Sequence, residues 1–366
     1  MIKPKAFLKI ASTNVAIFAI LLLCAEVTYR LLDFAKSCMT QCDPSIFALH
    51  FKPNKKWNIG VSRFSPKLGY EPRSNIDLVL NAPGWKNIKL STDANGFRNS
   101  YPNPNAKFKV LTVGDSFTWG DQVNDNDTWQ SCLNRQLNEF EFINAGVFGY
   151  GTAQALMRSE EIMKGKNYDL VILQTLVGKD FIRDQFDIRD GFVRPYLKKS
   201  KGEIVVVPPP PANTPNTKYG PSKINLVDYF LLNLTFLRNP RFLTNKIYVK
   251  ILDKNNGNIN RRGIGSASVR EIIDHTVKVS SKQNYPILWL LQYTENLNEN
   301  ILEERKLIIK TLKKYDMSFI DTFETLHKNP KYNSDQLWNK HHTPLGNKIT
   351  CQKISKDLIP IQKNPL

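Results

Sequence analysis

Cysteine is scarce in this chain. There are five in 366 residues, Cys24, Cys38, Cys42, Cys132 and Cys351, with neither the paired spacing of a zinc site nor the density of a disulfide framework. No metal or other cofactor is expected. Cys38 and Cys42 can bond to each other on an oxidising side of a membrane, or stand as two ordinary thiols. Acidic residues are also few, 33 against 51 Lys and Arg, for a formal net charge of +18. That balance favours anionic lipid headgroups, acidic polysaccharide or nucleic acid. The basic residues form no arm with interleaved aromatics and no nucleic-acid motif is present, so no nucleic-acid partner is expected.

One long apolar run is present, Ile10 to Thr28, IASTNVAIFAILLLCAEVT. It is close to the roughly 20 residues a helix needs to cross a bilayer. Lys3, Lys5 and Lys9 precede it, which leaves the N-terminus in the cytoplasm and sends the rest across. The stretch from Val15 to Ala25 has no polar face, unlike a buried amphipathic helix. Ala35 and Ser37 are spaced as a signal peptidase reads small residues, but the length of the run favours a retained anchor. The Leu before Cys24 is too large for a lipobox. Glu26 and Arg30, one turn apart, can pair or reach headgroups. The expectation is a single-pass membrane protein with its main domain periplasmic or extracellular, and an anchor within residues 1–33.

With 41% hydrophobic residues, the remainder can bury one large core. Residues 34–105, rich in Pro, Asn and Lys, read as a connecting region packed on a main domain over 106–360. There, short apolar runs alternate with helical ones, the pattern of a parallel sheet covered by helices. Strands are expected at Phe108–Val113, Glu141–Ala145, Asp169–Gln174, Pro286–Leu291 and Met317–Ile320. Helices are expected at about Asp127–Glu139, Thr152–Lys164, Ser266–Ser281, Asn300–Tyr315 and Pro344–Leu358. The alternation breaks over 181–262, an insertion that includes Pro208 to Pro211 and an apolar segment from Ile224 to Phe242. Insertions of this length form lids, partner surfaces or excursions.

The sharpest local feature is Val110-Leu111-Thr112-Val113-Gly114-Asp115-Ser116-Phe117-Thr118-Trp119-Gly120. It puts a serine at the carboxyl end of a strand, where open α/β sheets place ligands, and near free helix N–H groups that can hold negative charge. Upstream stands Asp93-Ala94-Asn95-Gly96-Phe97-Arg98, and downstream Asn144-Ala145-Gly146-Val147-Phe148-Gly149-Tyr150-Gly151. Taken together these resemble the SGNH/GDSL hydrolase family, in its membrane-anchored bacterial branch. The resemblance covers residues 93–182 and 335–347 and is carried by four ordered elements.

It implies a three-layer α/β/α domain with a mostly parallel, flavodoxin-like sheet, Ser116 as nucleophile, and the N–H groups of Ser116 and Gly149 in an oxyanion hole. The family's Gly-Asn-Asp block is here Gly178-Lys179-Asp180. Either Lys179 replaces the donating Asn, or it faces solvent and the hole has one donor fewer. His341 stands five residues before Gly346, as the family's general base does, with His342 one position out of register. The family's Asp three residues before that His is here Trp338, which leaves Asp335 or an uncharged Asn339 to support the imidazole.

Three functions follow: an esterase acting on acylated carbohydrate or lipid of the envelope, an O-acyltransferase using the same site, or an inactive descendant that binds glycan or organises an envelope complex.

Overall fold

The computed structural model describes residues 61–209 apart from 83, 84, 167, 190 and 191, residues 267–363, and part of the stretch 13–28. The chain divides into two units, residues 1–57 with 215–259, and residues 58–214 with 260–366. In the first, the described positions between 13 and 28 are helical and exposed. Among the described residues no helix is long and apolar enough to cross a membrane. The anchor expected over 10–28 falls largely outside them, as do Cys38, Cys42 and residues 210–262 of the insertion.

The second unit opens with two antiparallel hairpins, β1 (Ser62–Ser65) with β2 (Gly69–Pro72) and β3 (Asp77–Ala82) with β4 (Trp85–Ser91). The described part of the region read as a connector, from residue 61, therefore holds strands, and it packs Leu68, Tyr70, Leu90 and Phe97 into the main core. The alternating unit follows: β5 (Phe108–Val113), α1 (Ser116–Trp119), α2 (Trp129–Gln136), β6 (Phe140–Asn144), α3 (Thr152–Met163) and β7 (Leu170–Leu176). The described part of the insertion holds α4 (Asp180–Arg183) and two hairpins, β8 (Ile188–Arg189) with β9 (Phe192–Val193) and β10 (Tyr196–Ser200) with β11 (Glu203–Val207). The alternation then resumes with α5 (Val269–Ser280), β12 (Ile287–Gln292), α6 (Glu299–Lys314) and β13 (Phe319–Asp321). The chain ends in α7 (Phe323–His327), α8 (Ser334–Leu337), β14 (Trp338–Asn339), β15 (His341–His342) and α9 (Pro344–Lys363).

The central sheet has the order β13-β12-β7-β5-β6, parallel throughout. Counted along the sheet's own strands this is 2-1-3-4-5, whose direction of winding reverses between β5 and β7. Its strands are apolar on both faces because helices cover both. Leu111, Val113, Val171, Leu173, Trp289 and Leu291 meet α3, α5 and α6 on one side. The alternate residues Val110, Ile172, Leu288 and Leu290 meet α2 and α9 on the other. Each of the aliphatic side chains among these, fully withdrawn from water, contributes about 1.5–3 kcal/mol. The result is the expected three-layer α/β/α arrangement within this unit.

A disulfide absent from the sequence reading joins Cys132 of α2 to Cys351 of α9, 219 positions apart. It ties the helix that follows the histidines to the helix that follows Ser116. Loop closure of this size is expected to make Cys132→Ser with Cys351→Ser about 2–5 kcal/mol less stable. Urea unfolding with and without reductant checks this: the reductant should lower the wild-type midpoint and leave the double variant unmoved.

Candidate active site

Ser116 begins α1 directly beyond β5, at the sheet's switch point. The turn that carries it is crowded. A Cβ on Gly114 would lie 2.2 Å from Gln174 Oε1 and 2.3 Å from Thr118 Oγ1, so only glycine fits between strand and helix. Asp115 caps α1: its Oδ1 accepts from Phe117 N at 2.9 Å. Its other oxygen, Oδ2, accepts from Arg183 Nη1 at 2.6 Å. The same Nη1 reaches Tyr150 O at 3.2 Å and the carboxylate of Asp180. Arg183 thus ties together the Gly-Asp-Ser turn, the block from Asn144 to Gly151 and the Gly178-Lys179-Asp180 block.

His341 arrives from the other end of the chain on the β14–β15 hairpin, which reverses at Lys340 with φ of 68°. The close packing of α9 beneath it explains Gly346, where a Cβ would lie 2.4 Å from Leu337 O. His341 Nε2 faces Ser116 Oγ at 2.9 Å. His341 Nδ1 faces Gln122 Oε1 at 2.9 Å. An amide oxygen at Nδ1 makes Nδ1 the protonated nitrogen and leaves the Nε2 lone pair to accept from the Ser116 hydroxyl.

Burial, together with the Arg183 and Lys340 charges, pulls the His341 pKa down to about 4, against an opposing pull from Asp115. The ring is therefore neutral at ordinary pH, the state in which it can accept a proton.

The other predicted residues fall elsewhere. His342, its neighbour on a two-residue strand, points the opposite way; it is 2% exposed, meets the Phe117 ring edge-on at 4.8 Å, and burial holds its pKa near 3. Asp335 lies exposed on α8, and Asn339 is exposed on β14 opposite His341. Neither meets the imidazole, because both ring nitrogens are already engaged by Ser116 and Gln122. The support expected from Asp335 or Asn339 is corrected to Gln122. Lys179 is exposed at the residue preceding α4.

The N–H groups of Ser116 and Gly149 donate to no acceptor among the described residues. Gly149 has φ of 74°, a left-handed conformation that favours glycine. The peptide bearing its N–H is held from the far side, where Tyr70 Oη donates to Phe148 O at 2.8 Å. Arg194 Nη1 donates to Gly149 O at 3.1 Å.

Gln122 was missed from the sequence, and so was the residue before it. Asp121 is 3% exposed, with Oδ2 at 3.6 Å from His341 Nε2. A local sign was available: Gly120 ends α1 in a left-handed turn, and Asp121 N returns to donate to Ser116 O at 3.0 Å. Polar residues just beyond that turn must lie beside the serine. The loop is fixed by Arg98, fully buried, whose guanidinium pairs with Asp125 at 2.8 Å and donates to the carbonyls of Trp119, Gly120 and Val123. This is the structural use of the Gly96-Phe97-Arg98 element.

No protein-family model matches the chain, and no curated protein matches it. Solved structures similar to it include a psychrotrophic esterase from Pseudoalteromonas sp., 10% identical with a TM-score of 0.39, covering 70% of this chain and 99% of that one. An acetylxylan esterase from Geobacillus stearothermophilus is 11% identical with a TM-score of 0.39, covering 70% and 96%. A member of the lipolytic G-D-S-L family from Veillonella parvula is 12% identical with a TM-score of 0.35, covering 68% and 96%.

Proposed function

We propose that this chain is a serine ester hydrolase of the SGNH/GDSL type, with Ser116 as nucleophile and His341 as general base. The observation that carries the reading is the 2.9 Å contact between Ser116 Oγ and His341 Nε2, made by residues 225 positions apart. In acylation the Ser116 proton passes to Nε2 as Oγ bonds to the acyl carbon. The negative charge on the former carbonyl oxygen meets the N–H groups of Ser116 and Gly149. Collapse expels the alcohol, which takes the proton from Nε2, and water repeats the sequence to release the acid. Gln122 fixes the ring tautomer throughout.

The reading places the domain outside the cytoplasm behind a membrane anchor at 10–28, with acyl esters of envelope glycan or lipid as substrates. It is supported by the apolar run behind Lys3, Lys5 and Lys9, by the net charge of +18, and by a Cys132–Cys351 bond of the kind that persists in oxidising compartments.

The test is hydrolysis of p-nitrophenyl acetate across pH. A base with a pKa of about 4 is unprotonated above that pH. The acid side of kcat/KM should therefore rise near pH 4 rather than near 6.5, the value of an unshifted histidine. In Gln122→Glu a carboxylate behind Nδ1 favours the cation, so the rise should move to higher pH. A protein that is folded and hydrolyses no aryl ester contradicts the reading.

A further inference from the structure

The Ser116–His341 pair lacks a carboxylate behind Nδ1, where Gln122 supplies an oxygen without a charge. The imidazolium formed during acylation needs a counter-charge. An uncharged partner leaves that cation less stabilised. A carboxyl group does lie beside the ring, on its other side. Asp121 Oδ2 is 3.6 Å from Nε2, the nitrogen that takes up the proton. Its Oδ1 has no hydrogen-bond partner among the described residues although the side chain is buried. Burying a carboxyl group with an unsatisfied oxygen is costly, and such atoms in a folded protein call for an explanation. The carboxyl group is thus buried beside Nε2 with Oδ2 turned toward the nitrogen that becomes charged in the reaction and Oδ1 bound to none of the described residues.

We infer that Asp121 carries the negative charge opposite the His341 imidazolium, so that the acid's two duties are divided between neighbours, orientation to Gln122 and charge to Asp121. The inference rests on the esterase reading of this site. Asp121 acts through His341, as a positioning residue, and Arg98 holds its loop by the carbonyls on both sides.

The charged groups around Asp121 are Arg98, Arg183, Asp115 and His341. Burial is the largest influence and, with Asp115, raises its pKa against the two arginines, to about 8. Asp121 is therefore neutral where His341 first loses its proton, near pH 4, and becomes charged only in the alkaline range. Two steps in rate follow, one at each end.

The experiment is the pH profile of kcat/KM for p-nitrophenyl acetate in the wild type and in Asp121→Asn, with the Ser116→Ala rate subtracted. The wild type should rise about tenfold between pH 7 and 9.5 as the new charge strengthens the base. Asp121→Asn should stay flat to within about twofold over that range, since an amide has no such ionisation. Folding of the variant is read separately. A buried acid with a raised folded pKa contributes stability below its unfolded pKa, and that stability is lost as pH rises through about 8. Asp121→Asn should accordingly melt above the wild type at pH 9.

A second readout needs no turnover: the His341 ring proton resonance, assigned with His341→Gln. It should show a step centred near pH 8 in the wild type and none in Asp121→Asn. A step without ester hydrolysis would sink the esterase reading and keep the charge pairing. An alkaline rise that survives in Asp121→Asn, or a wild-type resonance with no step, overturns the inference.

Discussion

Ser116→Ala is expected to lower kcat for p-nitrophenyl acetate by about 10⁴-fold or more, the scale seen when a serine nucleophile that works as a unit with its base is removed. The reason is that Oγ sits at the only place in the site where an activated hydroxyl meets Nε2 at 2.9 Å among the described residues. Asp121 is the other group near Nε2, but at 3.6 Å and in the neutral state it offers no competing nucleophile at pH 7. The substitution removes one oxygen from a buried residue of a packed turn, and the capping bond that Phe117 N donates to Asp115 Oδ1 is untouched. Its melting temperature should therefore stay within a few degrees of the wild type. Residual activity above about 1% in a folded Ser116→Ala protein would show that the nucleophile lies elsewhere.

Arg98→Ala should be the largest loss of stability from a single change, about 3–5 kcal/mol, the cost of leaving a buried charge without its partner. Its side chain is fully buried, and its removal leaves the Asp125 carboxylate without its cation, held among the described residues only by Ser91, and takes a donor from the carbonyls of Trp119, Gly120 and Val123. Arg98→Lys should recover little, because an ammonium on a flexible stem cannot reproduce a planar fork that serves five acceptors. The same loop presents Gln122 and Asp121 to His341, so kcat should fall in whatever fraction remains folded. Urea unfolding reads the first effect and active-site titration the second. A loss below about 1 kcal/mol would mean the loop holds its shape without the clamp.

The sheet was legible because its strands are short apolar runs between helical stretches, and each expected strand of the main domain lies within a few residues of the observed one. Ser116, Gly149 and His341 were legible because each stands beside a glycine or turn that its backbone geometry demands. The support for His341 was not. Asp335 was the nearest acid in sequence, but α8 presents it to solvent, and the imidazole is met by Gln122 across a separation of 219 residues. Pairings that tertiary packing alone brings together leave no period or spacing to read, and the Cys132–Cys351 bond was missed for the same reason. The hairpins of 62–91 and 188–207 escaped because hairpin strands this short, two to seven residues long, give hydrophobic alternation little room to show.

The central claim is that His341 activates Ser116. Its most direct measurement is mass spectrometry of the protein after reaction with a fluorophosphonate, comparing wild type, His341→Gln and Ser116→Ala. The account predicts one adduct per wild-type chain, on the peptide containing Ser116, formed at least about a hundredfold more slowly in His341→Gln and absent in Ser116→Ala. An adduct on another serine, or labelling of Ser116 at an unchanged rate without His341, would contradict it.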